Sequence, residues 1–271
     1  MSDNGPQSRS PASLAFGVVS GDATARTSLG IVCRDLGRAA SHVLYPQILG
    51  NYAALAQQFK AGSLHLAWTP PLVAVELVKS GAATLAVCSR RTSGTLYHSV
   101  LFGRPGLGAK TAEGLRDRTA AWVDRESLSG YLLARQWVRS HGVDPDALFG
   151  RQLFHHTHSE VARAVLRGVA DVGATYANLD PHAATIRDAG WVEIGVPVDG
   201  VEVIATMGPI PADAVVIAKR VKPHERALLV DGLVHLPGSS LAAVRSLFHA
   251  EGFEIPPPGH AEAFSRLYDL F

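Results

Sequence analysis

The first hundred residues alternate between short apolar runs and segments whose apolar positions recur at helical spacing. The apolar runs predict strands at Leu14–Ser20, Leu64–Trp68, Ala83–Ser89 and Leu96–Phe102. The segments between them predict helices at Ser28–Val43, Pro46–Ala61 and Leu72–Lys79. Strands that alternate with helices favour an α/β protein with mostly parallel sheets flanked by helices.

The same alternation starts again after Gly103 and continues to the end of the chain. Strands are predicted at Ala120–Asp124, Gln152–Phe154, Asp171–Tyr176, Trp191–Gly195, Val203–Thr206 and Ala214–Ala218. Helices are predicted at Thr111–Arg118, Gly130–His141, Ser159–Gly168, Pro181–Asp188, Pro223–His235, Ser240–His249 and Ala261–Leu270. No low-complexity linker separates the halves, which indicates two lobes joined by crossing strands. Ligands of such proteins bind outside the carboxyl ends of strands, and a cleft between lobes is a natural place.

A polar turn stands between one of these strands and the helix that follows it. The apolar run ends at Asp124, and Ser127 and Ser129 lie where hydroxyl-bearing helix caps belong. A helix start of this kind leaves N–H groups and hydroxyls pointing outward. These donors form a site that suits an anion or a polar ligand head. Serine turns before helices also serve only as caps, and this second interpretation stays open.

Composition and charge exclude several classes of protein. The chain has 271 residues, of which 47% are apolar and 18% charged, and its formal net charge is +1. It is therefore globular, and without a basic stripe it is not expected to bind nucleic acid. No apolar segment approaches the length that crosses a bilayer, so no membrane span is predicted.

The amino terminus bears on the compartment. Residues 1–12 are polar and are predicted to be a disordered tail. They lack a charged segment followed by an apolar one, so they are not a secretory signal. As given, the chain is predicted to be cytoplasmic; it is periplasmic or lipid-anchored if a leader has been removed.

No metal or cofactor is predicted. Cys33 and Cys88 fit no metal-binding spacing, and two buried, reduced thiols are expected. His155, His156 and His158 have no cysteine or acidic partner beside them, which does not favour zinc. The sequence also lacks a nucleophile elbow, a phosphate-binding glycine loop and a nucleotide fingerprint.

Five segments carry motifs that occur together in one family. They are Tyr52–Leu72, Tyr97–Leu101, Ala121–Tyr131, His158–Ala174 and Gly208–Pro211. In this order they resemble the phosphonate/phosphite-type periplasmic binding proteins. The resemblance implies a class II periplasmic-binding-protein fold, with two α/β lobes, two crossings and a ligand clamped between them. It places the first lobe at about residues 13–101 and 206–271, and the second at about 102–205.

The resemblance also implies a set of ligand-binding residues. In the family a tyrosine, a Ser-x-Ser-Gly turn and a histidine that opens a helix hold the oxyanion of the ligand. The matching positions here are Tyr97, Ser127, Ser129 and His158, and Thr69 is expected to face the same cleft from the other lobe. Tyr97 can instead pack in the core, and His158 can instead cap its helix.

Two departures from the family pattern affect the ligand. Leu128 stands in the binding turn where the family usually has threonine, and Pro70 replaces the glycine of a Gly-Pro pair. Both changes remove donors, and no residue clearly matches the acidic residues that hold an amine in some members. A less charged or partly apolar ligand therefore stays open.

The leading hypothesis is a solute-binding protein that closes two lobes on a small anion or organic acid. Its partner would be an ABC transporter permease or a signalling protein. An enzyme on the same scaffold is the first alternative, since Asp124 and Glu126 lie near the predicted ligand-binding residues in sequence. The second alternative is an interaction module with a degenerate cleft. Replacing His158 would cost an enzyme roughly 10²–10⁴-fold in rate, but would only modestly weaken a binding protein.

Overall fold

The computed structural model describes residues 13–180, 183 and 185–270. The strands are β1 (Ser13–Val19), β2 (Val43–Leu49), β3 (Leu66–Thr69), β4 (Ala83–Arg90), β5 (Leu96–Gly103), β6 (Thr119–Trp122), β7 (Arg151–Phe154), β8 (Val172–Leu179), β9 (Ile186–Ala189), β10 (Glu202–Pro211), β11 (Ala214–Ala218) and β12 (Gly252–Glu254). The α-helices are α1 (Ala25–Ala40), α2 (Tyr52–Lys60), α3 (Pro71–Lys79), α4 (Leu133–Ser140), α5 (Pro145–Leu148), α6 (His158–Leu166), α7 (Pro223–Val234), α8 (Gly238–Phe248) and α9 (Pro258–Leu270). The predicted tail at residues 1–12 lies outside the described residues.

The chain divides into two compact units. The first contains the chain up to Thr95 and again from Ala212 onward, and the second is Leu96–Pro211. Strands β5 and β10 belong entirely to the second unit, where they pair antiparallel to each other. The bounds drawn from the sequence, at residues 101 and 206, cut through both strands because apolar patterning does not reveal which strands pair.

The sheet of the first unit has the order β12-β4-β11-β3-β1-β2. β1 is parallel to β2 and β3, whereas β11 is antiparallel to β3 and β4. This sheet is therefore mixed, and not mostly parallel as the alternation of elements suggested. The reason is that β11, which follows the return from the second unit, enters the sheet between β3 and β4 in the opposite direction.

The helix predicted at Pro46–Ala61 is wrong in its first part. Residues up to Leu49 form β2, which pairs along its whole length with β1. Asn51 then caps α2, because its side-chain oxygen accepts from the Ala54 N–H at 2.8 Å. β2 lies at the end of the sheet, where proline is tolerated because one side of the strand needs no ladder hydrogen bonds.

The sheet of the second unit has the order β10-β5-β8-β6-β7, and β9 pairs with β8. β6 is parallel to β7 and β8, whereas β5 is antiparallel to β8, so this sheet is mixed as well. The carboxyl ends of β6, β7 and β8 consequently lie at one edge of the sheet, together with the amino end of β5. The serine turn follows β6 at this edge, and the helix that begins at His158 follows β7.

Other differences from the predicted elements are short. The helix predicted at Pro181–Asp188 is wrong from Ile186 onward, where β9 begins. The strand predicted at Trp191–Gly195 is a three-ten turn, and Trp191 packs against Phe102 with ring centroids 5.0 Å apart. The helix predicted at Thr111–Arg118 is reduced to another three-ten turn, and β12 was not predicted.

Within the described ranges, no single helix is long and apolar enough to cross a membrane. Helices α7 and α8 satisfy that test only when they are taken together, as a pair bent by 87°. Cys33 and Cys88 are buried, free thiols, and burial raises the pKa of each to about 12. Among the residues with described positions, no cluster of histidine, cysteine and acidic side chains could hold a metal ion.

Candidate functional site

The serine turn is organised by hydrogen bonds from Asp124 onward. The Asp124 carboxylate accepts from the Glu126 N–H at 2.9 Å, and its backbone carbonyl accepts from the Ser127 N–H at 3.3 Å. The Ser127 hydroxyl oxygen accepts from the Gly130 N–H at 3.1 Å, so Ser127 is the N-cap residue. The capping role that the sequence left open is therefore correct for Ser127.

The helix that follows opens with a π-helical turn, Leu128–Leu132, and continues as α4. The Ser127 carbonyl accepts from the Leu132 N–H, five residues along, at 3.0 Å. A turn of this width has no internal acceptor for the N–H groups of Leu128 and Ser129. The Ser127 hydroxyl acts as an acceptor in the cap, so its own hydrogen can still be donated to another group.

Gly130 allows the turn to pack closely against the strand before it. A Cβ atom at this position would lie 2.3 Å from Val123 Cγ2 and 2.8 Å from Ser127 Oγ. The backbone also meets here, since the Val123 N–H donates to the Gly130 carbonyl at 3.2 Å. The cap geometry of Ser127 therefore depends on glycine three residues later.

Strand β5 supports the serine turn from the neighbouring part of the sheet. The Ser99 hydroxyl donates to the Ser129 carbonyl at 2.7 Å, and both residues are buried. Tyr97 lies two residues before Ser99 and so shares its face of the strand. The structure thus holds the Ser129 backbone against strand β5, two residues from Tyr97, and a contact between Tyr97 and the serine turn stays a prediction.

His158 is the first residue of α6 but does not cap it. The cap is Thr157, whose hydroxyl oxygen accepts from the Glu160 N–H at 3.2 Å. The alternative in which His158 caps its helix is therefore wrong. Its Nδ1 atom instead lies 3.0 Å from Thr175 Oγ1, and its ring meets the Tyr176 ring edge-on, with centroids 5.2 Å apart.

Two carboxylates act on the His158 ring. Burial lowers the pKa of His158, whereas the charges of Glu193 and Asp124 raise it, and burial has the larger effect. The imidazole is consequently neutral at pH 7 and has one donor and one acceptor nitrogen. The segments that lead to the serine turn and to His158 are joined directly, since the His156 N–H donates to the Val123 carbonyl at 2.8 Å.

Thr69 lies in the first unit, at the end of β3. Its side chain is fully buried, and its hydroxyl donates to the Ala214 carbonyl at 3.4 Å. Pro70 then occupies the N-cap position of α3 without a side-chain cap, and Pro71 is the first helical residue. A contact between Thr69 and a ligand stays a prediction.

The sequence did not single out the residues that hold His158. Thr175 and Tyr176 lie on β8, and the Tyr176 hydroxyl donates to Glu193 Oε1 at 2.6 Å. Glu193 lies in the turn that was predicted to be a strand. The one signal in the sequence was the polar pair Thr175-Tyr176 at the end of an apolar run. Nothing in the sequence indicated that Thr175 would contact His158, 17 residues earlier.

Solved structures from several bacteria resemble this chain. XAC2383 from Xanthomonas citri, bound to ATP, has 17% identity and a TM-score of 0.74, with 95% of this chain and 96% of that chain covered. PhnD1 from Prochlorococcus marinus, in complex with methylphosphonate, has 14% identity and a TM-score of 0.65, with 96% and 97% covered. A binding protein component of an ABC phosphonate transporter from Pseudomonas aeruginosa has 19% identity and a TM-score of 0.64, with 95% and 86% covered.

At identities this low, the similarity establishes the fold alone. It confirms the predicted periplasmic-binding-protein fold class. A search of curated proteins finds no match to the chain. The sequence profile described as "ABC transporter, phosphonate, periplasmic substrate-binding protein" matches residues 33–256. The chain therefore belongs to the family of phosphonate-type periplasmic substrate-binding proteins, the solute-binding components of ABC transporters.

Proposed function

We propose that this chain binds a small anionic ligand and delivers it to an ABC transporter permease. In this proposal the serine turn and His158 hold the oxyanion. The observation that carries the proposal is that both follow strand ends at one edge of the second unit's sheet. In α/β sheets, ligands bind outside the carboxyl ends of the strands.

The donors proposed for the oxyanion are all uncharged. They are the Ser127 hydroxyl, the N–H groups of Leu128 and Ser129, the neutral His158 ring and the Tyr97 phenol. The amino end of the helix adds a partial positive charge that favours an anion. Hydrogen bonds from such donors to a charged oxygen are about twice as strong as those between neutral groups.

Leu128 makes an organic oxyanion the favoured ligand class. Its aliphatic side chain is buried in the turn where family members usually present a hydroxyl. An inorganic tetrahedral anion needs donors on all sides, whereas an alkyl phosphonate or sulfonate has an apolar substituent that needs none. Methylphosphonate, the anion in the Prochlorococcus marinus PhnD1 structure, is therefore the first probe.

A thermal-shift panel tests the proposal. It compares phosphate, phosphite, methylphosphonate, an aminoalkylphosphonate, sulfate, methylsulfonate and several carboxylates, with native mass spectrometry of the untreated protein. An anion at about 100 times its dissociation constant stabilises the protein by about 2.7 kcal/mol. We expect at least one phosphorus or sulfur oxyanion to give such a shift.

The His158→Ala variant assigns the shift to the proposed site. A hydrogen bond to a charged group contributes about 1.5–3 kcal/mol, so we expect the affinity to fall roughly ten- to hundredfold. His141→Ala is the matched control, because His141 is exposed at the end of α4 in the same unit. An absence of shift with every oxyanion, together with an organic mass retained in the native spectrum, would overturn the proposal.

A further inference from the structure

We infer that Thr175 is a positioning residue that fixes which nitrogen of His158 carries the proton. Its hydroxyl donates to Nδ1, so that the proton of the neutral ring lies on Nε2. The effect of Thr175 on ligand affinity rests on the proposed function, but its effect on the histidine tautomer does not.

The burial of the Thr175 hydroxyl determines where its hydrogen is donated. Thr175 is fully buried on β8, and its Oγ1 atom lies 3.0 Å from His158 Nδ1. A buried hydroxyl hydrogen without an acceptor costs free energy, so it is expected to be donated. Within the part of the chain that the structure describes, the side-chain partner of this hydroxyl is His158 Nδ1, so we take Nδ1 as the acceptor of its hydrogen. Nδ1 must then present a lone pair, which leaves the proton on Nε2.

Gly190 provides the space in which this pair forms. A Cβ atom at position 190 would lie 2.1 Å from Thr175 Oγ1 and 3.2 Å from His158 Cβ. The Gly190 backbone is not left-handed, so close approach is the reason for glycine here. A larger residue would displace the hydroxyl from the ring.

The rest of the ring is also held in place. The Tyr176 ring meets it edge-on at an interplanar angle of 88°, and the Tyr176 hydroxyl donates to Glu193. The ring therefore has little freedom to turn over and exchange its two nitrogens. Of the charged groups, Asp124 and Glu193 are the carboxylates that act on it.

The tautomer determines the ligand class that the site accepts. With Nδ1 committed to Thr175, the Nε2–H is the donor left for a ligand. Such a donor suits an oxygen that carries no proton, as in a sulfonate, sulfate or fully ionised phosphonate. The opposite tautomer would present an acceptor and would favour a protonated oxyanion or a hydroxyl. Thr175 therefore commits this position of the site to a ligand oxygen that carries no proton.

Nitrogen-15 NMR of the ligand-free protein tests the tautomer directly. We expect the His158 ring of the wild-type chain at pH 7.5 to be the Nε2–H tautomer. Thr175→Ser keeps the hydroxyl and should keep this tautomer, whereas Thr175→Val keeps the shape but should give a mixture. Thr175→Ala serves the same purpose if the valine variant does not fold. A wild-type ring protonated on Nδ1, or an unchanged tautomer in Thr175→Val, would overturn the inference.

Calorimetry with methylsulfonate then measures the consequence, because this anion does not titrate between pH 5 and pH 8. We expect Thr175→Val to weaken binding roughly three- to tenfold at pH 7.5, and Thr175→Ser to restore it. The deficit should shrink as the pH falls below the pKa of His158, because an imidazolium donates from both nitrogens. A deficit of purely structural origin would not depend on pH in this way.

The two kinds of failure give different results. If Thr175→Val alters the tautomer but neither it nor His158→Ala changes affinity, the positioning role stands and the proposed function fails. If His158→Ala weakens binding while Thr175→Val changes neither tautomer nor affinity, the proposed function stands and the positioning role is overturned.

Discussion

Two strand-to-helix junctions, one in each unit, share a local order but differ in chemistry. In the first unit β3 passes through Thr69 and Pro70 into α3, and in the second β6 passes through the serine turn into α4. At the first junction both prolines lack an N–H group, and the Thr69 hydroxyl is bonded within the sheet. At the second junction the Ser127 hydroxyl caps the helix as an acceptor.

This difference shows that a helix start after a strand is not by itself a binding site. What matters is whether donors remain once the helix has been capped and packed. Proline removes the N–H group of the first helical residue at the first junction, and the Thr69 hydroxyl is already bonded there, whereas the second junction keeps the Leu128 N–H and the hydrogen of the Ser127 hydroxyl. This difference favours the serine turn as the proposed anion-binding site, and the following changes test that proposal.

The largest effect is expected from a negative charge at Ser127. An aspartate in the Ser127→Asp variant still caps the helix, so the melting temperature should stay within a few degrees of the wild type. Its charge would meet the ligand oxyanion, and like charges in contact cost several kcal/mol. We expect calorimetry to show at least a hundredfold loss of methylphosphonate affinity.

Ser140→Asp is the control for this change, because it adds the same charge at the exposed far end of α4. Its affinity for methylphosphonate should equal that of the wild type within about twofold, since an exposed charge at that distance is screened by salt. Tight anion binding by the Ser127→Asp variant would contradict the proposal that the serine turn holds the anion.

Two glycine substitutions should have opposite effects on stability. Gly130→Ala puts a methyl group against Val123 and Ser127, and overpacking of this kind costs about 1–3 kcal/mol. Gly30→Ala lies inside α1 with its nearest neighbour at 3.9 Å, and should stabilise by about 0.4–1 kcal/mol. Urea unfolding of both variants measures the contrast. A neutral Gly130→Ala would mean that the serine turn relaxes easily.

Acid should act on the first unit through His260. This residue is fully buried, and its Nε2–H donates to the Ala212 carbonyl at 3.1 Å, close to the acceptor of Thr69. Burial lowers its pKa below the usual 6.5, against the opposing effects of the Ala212 carbonyl and Asp213. The unfolded chain therefore binds more protons in acid. The free energy of unfolding should fall as the pH drops from 6.5 towards the lowered pKa, by at most about 1.4 kcal/mol per pH unit.

Urea titrations between pH 5 and pH 8 measure this slope. His260→Gln should flatten it, although some slope remains because burial also lowers the pKa of His65, His98 and His158. His141→Gln, which removes an exposed histidine from the second unit, is the matched control. An equal slope in His260→Gln and the wild type would contradict the assignment to His260.

The smallest effect is expected at Thr69. The hydrogen bond from its hydroxyl is long, so Thr69→Val should change the free energy of unfolding by less than about 1 kcal/mol. Thr84→Val is the matched control, since the Thr84 hydroxyl donates to the same strand, at Ile217. We expect both variants to bind methylphosphonate within about twofold of the wild type. A larger loss confined to Thr69→Val would assign Thr69 to the ligand, as the family resemblance suggests.

The serine turn was predictable from the sequence because its signals are local. An apolar run, a cap residue and an amphipathic helix occur within twenty residues, and the motifs of the family coincide with them. The fold class was predictable for a similar reason, since it depends on the alternation of elements along the chain and on motif order. The cap at Thr157 follows the same local rules, although the neighbouring His158 was considered as the cap instead.

The partners of His158 were not predictable, because they depend on how distant strands pair. Thr175 reaches the ring only because β8 lies beside β6, and only because residue 190 lacks a side chain. The edge strand β2 was missed because Ile48 continues the helical spacing of the apolar residues in α2, whereas pairing with β1 determines its structure. In both cases tertiary contacts outweigh local preference.

A crystal structure of the chain grown with methylphosphonate tests the central claim most directly. We predict that one phosphonate oxygen lies about 2.7–3.1 Å from Ser127 Oγ and from His158 Nε2, with the N–H groups of Leu128 and Ser129 directed at it. A bound anion that contacts neither Ser127 nor His158 would contradict the account.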